Sequence, residues 1–375
     1  MQVQRVRSFI SDWEGPFGKN DYAMEISDHF LPNGALIFTL LSKYDDILAD
    51  VLKRNNYGAG DTLKLILPFL RAYGATNDKI EKFAAKRTRL LSCSLDTLQF
   101  VKSIMPSYII SASYDICFSH IWKILEIPRE NFYCTKLNID DYELNNNEKE
   151  RLNKITAELI NIANQLANRK DRAELINIPK NARHLGDFSK DDREIIEKLD
   201  SYFWEEIYSM DAGRMLKEVE VVDSSGKAEV IKIIRKKLGV DLKNCMYIGD
   251  SITDTLALRY LRENNGLAIS FNGNEYAIKE AEIAVISDNT VITSLLANIF
   301  NKYGKKLLIE LIKNWSLKNI EKYSYPRKLQ KSINQIFKKK MPRVEIISKN
   351  NIGELIEEST NFRKRIRGEI IGVLG

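Results

Sequence analysis

Three apolar runs in the chain end in residues able to do chemistry. "FISDWEG" delivers Asp12 and then Glu14, "YIISAS" delivers Ser111 and Ser113, and "MYIGDSITD" delivers Asp250 followed four residues on by Asp254. Lys227 stands at the start of "SSGKAEVIKIIRKKLG", ahead of the last of these runs. A carboxylate can attack phosphorus and form an aspartyl-phosphate, which splits one hydrolysis into two easier displacements. The nucleophile and the phosphoryl group repel each other, so a cation has to sit between them. Mg2+ takes hard oxygen ligands, and a set of carboxylates with waters and a phosphate oxygen suits it. Asp12, Asp250 and Asp254 can supply that set. A Ser111 hydroxyl and the Lys227 ammonium can hold the other phosphate oxygens. Glu14 is placed to protonate the leaving oxygen and then to deprotonate water.

Each signal alone has a plainer reading. An acidic pair at a strand end arises by chance, and Asp250 and Asp254 also suit the start of a helix, where anions are favoured. Ser111 alone reads as a turn residue, and Lys227 alone as a surface lysine. Four such signals in order, each tied to a strand end, argue against coincidence, because reactive groups in open α/β sheets collect beyond the carboxyl ends of the strands.

The elements that must hold these residues follow from the pattern. "VRSFIS", "SYIISAS", "NFYCTKL", "CMYIGDS", "GLAISFN" and "IAVIS" are short apolar runs of the kind covered on both faces, and they predict strands. Helical segments such as "ITDTLALRYLREN" and "EYAIKEA" alternate with the later ones, which argues for a parallel sheet covered by helices. From Phe17 to Ser92 the chain reads as helical; one segment carries Pro68 and another opens with a Thr76 cap. The polar stretch 140–222 breaks the rhythm and reads as a helical insertion. Beyond Ser287, "TVITSLLANIFNKYGKKLLIELIKNW" places Ile292, Leu295, Leu296, Ile299, Phe300 and Tyr303 on one face, the pattern of a single amphipathic helix.

The order Asp-x-acid-Gly, strand-Ser, Lys and Gly-Asp-Ser-x-x-Asp resembles the four motifs of the haloacid dehalogenase superfamily of phosphohydrolases. The resemblance covers roughly residues 5–20, 95–140 and 220–287. It is similar in arrangement to the phosphoserine-phosphatase-like members, and its "DWEGP" start resembles an archaeal branch labelled energy-converting hydrogenase A subunit R. It implies an α/β fold: a Rossmannoid parallel-sheet core over 1–17, 93–139 and 223–289, a helical cap over 18–92, a second helical insertion over 140–222, and a basic, mainly helical C-terminal extension over 290–375. It further implies catalysis by Asp12 and Glu14, phosphate binding by Ser111, Ala112 and Lys227, and Mg2+ bound by Asp12, Glu14 (through its backbone carbonyl), Asp250 and Asp254. Carbon–halogen hydrolysis needs no metal, so the acidic pair Asp250 and Asp254 favours phosphoryl transfer on a small phosphomonoester. Two positions depart from the family pattern. Glu14 stands for the usual Asp and is one methylene longer, and Pro16 stands for the usual Thr and stiffens the turn that feeds the cap.

Bulk properties set the remaining bounds. The chain has 375 residues, 44% hydrophobic and 29% charged, enough for more than one compact unit. No apolar run approaches the ~20 residues of a membrane span. The N-terminus has no signal-peptide pattern, and four scattered cysteines (Cys93, Cys117, Cys134, Cys245) predict reduced thiols and a cytoplasmic location. The net charge of +6 is uneven: residues 301–375 carry 18 Lys/Arg against 7 Asp/Glu. Solvated helix faces explain such a tail in the plain reading; the alternative function is a low-activity, hydrogenase-associated interaction protein that docks an acidic partner through this region. No nucleic-acid partner is expected.

Overall fold

The computed structural model describes residues 6–55, 57–168 and 175–372. Residues 169–174, within the expected second insertion, and the ends of the expected core and extension at 1–5 and 373–375 lie outside the described residues.

All six predicted strands form: β1 (Ser8–Ser11), β2 (Ser107–Tyr114), β3 (Phe132–Thr135), β4 (Cys245–Gly249), β5 (Leu267–Phe271) and β6 (Ile283–Ile286). They pair in parallel in the order β3-β2-β1-β4-β5-β6, and a further strand, β7 (Arg343–Ile346), adds antiparallel to β6. The alternation of β1 shows how the sheet is covered. Ile10 packs with Val230, Ile231 and Ile234 of helix Ser224–Leu238 and with Leu258 and Leu261 of helix Thr255–Glu263. Its neighbour Phe9 belongs to the larger core on the other face, with Leu98, Val101, Ile292 and Leu295. Both faces are therefore apolar, which is why the strands read as continuous hydrophobic runs rather than alternating ones. The chain runs from β1 outward through β2 to β3 and then returns across β1 to β4, so the strand order reverses at β1. The carboxyl ends of β1 and β4 flank the crevice where such sheets bind ligands.

The two long insertions form one helical layer above that crevice. Helices Tyr22–Phe30, Gly34–Asp46, Thr62–Ala72 and Asn77–Arg87 make the first; Pro68 lies inside the third, and Thr76 caps the fourth by accepting from Lys79 N (3.3 Å). The second insertion contributes helix Asn146–Ala167, started by a reciprocal capping box between Asn145 and Glu148. Phe203 stacks on Tyr44 and meets Phe69 edge-on, with centroids 5.9 and 6.0 Å apart, and Trp204 Nε1 donates to the Tyr44 hydroxyl (2.9 Å). Aromatic contacts of this kind contribute ~0.5–1.5 kcal/mol each beyond area burial.

Two expectations for the C-terminal region change. The single amphipathic helix is two helices, Val291–Tyr303 and Lys305–Lys313, broken at Gly304, whose φ of +83° ends the first. Helix Val291–Tyr303 is buried on all sides over residues 291–300, because helices Ser94–Ile104, Lys305–Lys313 and Arg327–Phe337 pack around it and its apolar side chains share the core with Phe9 of the sheet. The extension also contains β7, an edge strand with buried Val344 between half-buried Arg343 and Glu345. Four alternating residues carry too little periodicity to separate a strand from a loop by sequence.

Among the described residues, no helix is long and apolar enough to cross a membrane. The four cysteines are free, three of them buried.

Candidate active site

Asp12 follows the last residue of β1 and is held there by three constraints. Its backbone N donates to Ile248 O of β4 (2.8 Å), its Oδ1 accepts from Trp13 N (2.6 Å), and its Oδ2 accepts from Lys227 Nζ (2.8 Å). Trp13 fixes the turn: it is fully buried, packs on Phe17 and Phe118, and its carbonyl accepts from both Phe17 N and Gly18 N. Asp12 is buried, 4% exposed. Burial pushes its carboxyl up to about 6 against the pull of Lys227.

Lys227 enters from the first turn of helix Ser224–Leu238, whose start is capped by Asp223 accepting from Gly226 N (2.6 Å). Its ammonium is completely buried and bridges Asp12 and Asp254, 2.8 Å from each. Burial alone lowers a lysine, but the two carboxylates outweigh it and the group is pushed up to about 12. Asp254 is saturated by donors: its Oδ1 also accepts from the Tyr247 hydroxyl (2.5 Å), and its Oδ2 from the backbone N–H of Asp250 (2.8 Å) and Ser251 (3.0 Å). Asp254 therefore orients Lys227 and the loop after β4.

Asp250 caps the end of β4, 1% exposed. Gly15, with φ +102°, passes so close that a Cβ there would lie 1.9 Å from Asp250 Oδ2. The turn after β1 is thus glycine because the two strand ends converge. Carboxylate oxygens of Asp12, Asp250 and Asp254 lie within 4.8 Å of one another. This all-oxygen cluster fits a hard divalent cation such as Mg2+.

Glu14 lines the cavity above Asp12, and its Oε1 accepts from Tyr22 N (2.7 Å) at the start of the first cap helix. The longer side chain is thus anchored to the cap rather than to the core. Burial, and next the neighbouring Asp21, push its carboxyl up to about 8. Asp21 lines the same cavity and caps helix Tyr22–Phe30 by accepting from Met24 N (2.9 Å). The cavity holds about 90 Å³ and is lined on its cap side by Phe38, Ser42 and Asp45. From β2, Ala112 and Ser113 line it. Ser111 sits behind them, 1% exposed, its Oγ accepting from Ser113 N (3.3 Å).

No family model matches the chain. A phosphoserine phosphatase of Archaeoglobus fulgidus is 27% identical over 111 residues, which are 29% of this chain and 31% of that protein. The match thus spans about a third of the relative's length. Among solved structures, a gene product of Archaeoglobus fulgidus aligns over 99% of both chains with a TM-score of 0.74 at 24% identity. An apo phosphoserine phosphatase aligns over 80% of this chain and 100% of its own with a TM-score of 0.45 at 14% identity. The chain thus shares its fold with that gene product over almost its whole length.

The part of the site that lies outside the sequence motifs is its C-terminal contribution. Arg363 and Arg367, one turn apart on helix Ile352–Arg367, both line the cavity and both pair with Asp250 Oδ2, Arg367 at 3.1 Å. They are 3% and 7% exposed. Two cations of the basic extension are therefore buried in the site and are not part of a solvated face. The sequence signal was the "FRKRIR" cluster, where the i,i+4 spacing of Arg363 and Arg367 is visible but their burial is not.

Proposed function

We propose that the protein is a Mg2+-dependent phosphomonoester hydrolase acting through an aspartyl-phosphate on Asp12. The observation that carries this reading is the buried Asp12–Lys227–Asp254 array, set beside Asp250 at the crevice where the strand order reverses. Asp12 and Asp250 would hold the ion, with Glu14 contributing through its backbone carbonyl as the sequence resemblance implies and Asp254 fixing the loop behind. When bound, Mg2+ offsets the negative charge between nucleophile and phosphoryl group.

The chain's own residues supply the remaining steps. Trp13 N–H and Lys227 fix the Asp12 carboxylate so that one oxygen attacks phosphorus as the ester P–O bond breaks. Glu14, held by Tyr22 N–H, gives its proton to the departing alkoxide. Water then attacks the aspartyl-phosphate, Glu14 takes the water's proton, and inorganic phosphate leaves with Asp12 regenerated. Ala112 and Ser113, which line the cavity, would form the phosphate-binding edge of β2, with Ser111 supporting them from behind through its Oγ contact to Ser113 N. The cavity of about 90 Å³ suits a small molecule.

A panel of phosphomonoesters, assayed with and without Mg2+ and with Asp12→Asn beside the native chain, tests the reading. Mg2+-dependent phosphate release that Asp12→Asn abolishes is expected. Equal release by Asp12→Asn would end the proposal.

A further inference from the structure

The cavity has an uneven charge supply. Asp12, Glu14, Asp21, Asp45, Asp46 and Asp250 all face it, whereas Lys227 does not line it and points instead at Asp12 and Asp254 from behind. Among the described residues, the cations that line the cavity are Arg363 and Arg367. A phosphate dianion entering it would meet these two guanidinium groups first. Their position is built rather than incidental. Ser359 Oγ, one turn before Arg363, donates to Gly273 O (2.6 Å) and pins helix Ile352–Arg367 to the loop after β5. Arg367 Nη2 donates to Asn20 O (2.5 Å) and its Nε to Lys19 O (3.3 Å), at the entry to the cap. Arg363 Nη1 donates to both the carboxylate and the backbone carbonyl of Asp250 (3.2 Å to the latter).

We infer that Arg363 and Arg367 are anion-binding residues of this site that exchange partners: paired with Asp250 in this structure, they turn to the substrate's phosphate oxygens when a divalent cation takes Asp250. The inference rests on the phosphatase reading and extends it to a helix outside the sequence motifs. The chemistry favours exchange. Asp250 cannot satisfy two guanidinium groups and a metal through the same oxygen, and a planar guanidinium matches phosphate oxygens as well as it matches a carboxylate. The cap entry at Lys19 and Asn20 is tied to the same arginine, so substrate, metal and cap share one contact point.

The test uses the full chain with Mn2+ as the metal probe and beryllofluoride as the phosphoryl probe. Arg363→Gln and Arg367→Gln remove one competitor each; Arg363→Lys and Arg367→Lys keep the charge and the fold if the Gln forms do not fold. The expected result is Mn2+ binding severalfold tighter than in the native chain without beryllofluoride, and beryllofluoride binding at least tenfold weaker at saturating Mn2+. The Lys forms should fall between. Folded variants with native affinity for both probes would overturn the inference and leave the phosphatase reading standing. A native chain that takes no beryllofluoride at saturating Mn2+ would overturn both.

Discussion

Replacing Lys227 by Met keeps an aliphatic stem of similar length and removes the ammonium between Asp12 and Asp254. Each Nζ–O distance is 2.8 Å. At an effective dielectric near 20, that separation corresponds to roughly 6 kcal/mol of attraction per pair, much of it offset by the desolvation of three buried charges. Removing one partner of such a buried pair costs ~3–5 kcal/mol, because the remaining charges lose their compensation. The unfolding entropy of this 375-residue chain is about 0.8 kcal/mol/K from the per-residue average, if unfolding is cooperative. Lys227→Met should therefore lower Tm by roughly 4–6 °C in the absence of metal. Millimolar Mg2+ should narrow the gap, since the ion restores positive charge beside Asp12. Thermal melts by circular dichroism, with and without Mg2+, measure both quantities. A change below about 1 °C would refute the assignment of Lys227 as the cation that compensates the two buried carboxylates.

Other outcomes follow from single contacts. Gly15→Ala should lose metal binding and activity, since its Cβ would meet Asp250 Oδ2 at 1.9 Å on a backbone with φ +102°; a Mn2+ titration checks it. Glu14→Gln should lower kcat by about 10²–10⁴-fold while leaving beryllofluoride binding intact, as expected for a proton donor that does not hold the phosphoryl group. Burial raises Asp45 from 3.8 to about 8, so its stabilising contribution is fully present below pH 3.8 and lost as pH rises through 8. Asp45→Asn should accordingly be more stable than the native chain by an amount that grows from pH 5 to pH 8 and then levels off, on the order of 6 kcal/mol at most, read as a widening Tm difference. An Asp45→Asn advantage that does not change with pH would contradict this.

The sheet was legible because its strands are covered on both faces, and six short apolar runs bounded by polar residues each became a strand. Asp12, Lys227, Asp250 and Asp254 were legible because strand ends and a helix start are marked locally in sequence, and the fold brings those marks together. The β2 edge was legible in position but not in detail: Ala112 and Ser113 face the cavity and Ser111 lies behind them. β7 and the break at Gly304 were not legible, one because four residues carry too little pattern, the other because the apolar spacing continues across the break. Arg363 and Arg367 were hidden for a different reason. Their helix carries a majority of charged and polar residues, and only the antiparallel return through β7 turns its arginines inward to Asp250. The anchoring of Glu14 by Tyr22 N–H likewise depends on how the cap folds back, which the spacing in "DWEG" does not encode.

The central claim is that Asp12 carries the phosphoryl group. It is tested most directly by quenching the native chain during turnover of a phosphomonoester with Mg2+ and reducing it with borohydride, which converts a phosphoaspartate to homoserine. Peptide mass spectrometry should find homoserine at position 12 and nowhere else. Turnover that leaves residue 12 unmodified would contradict the account.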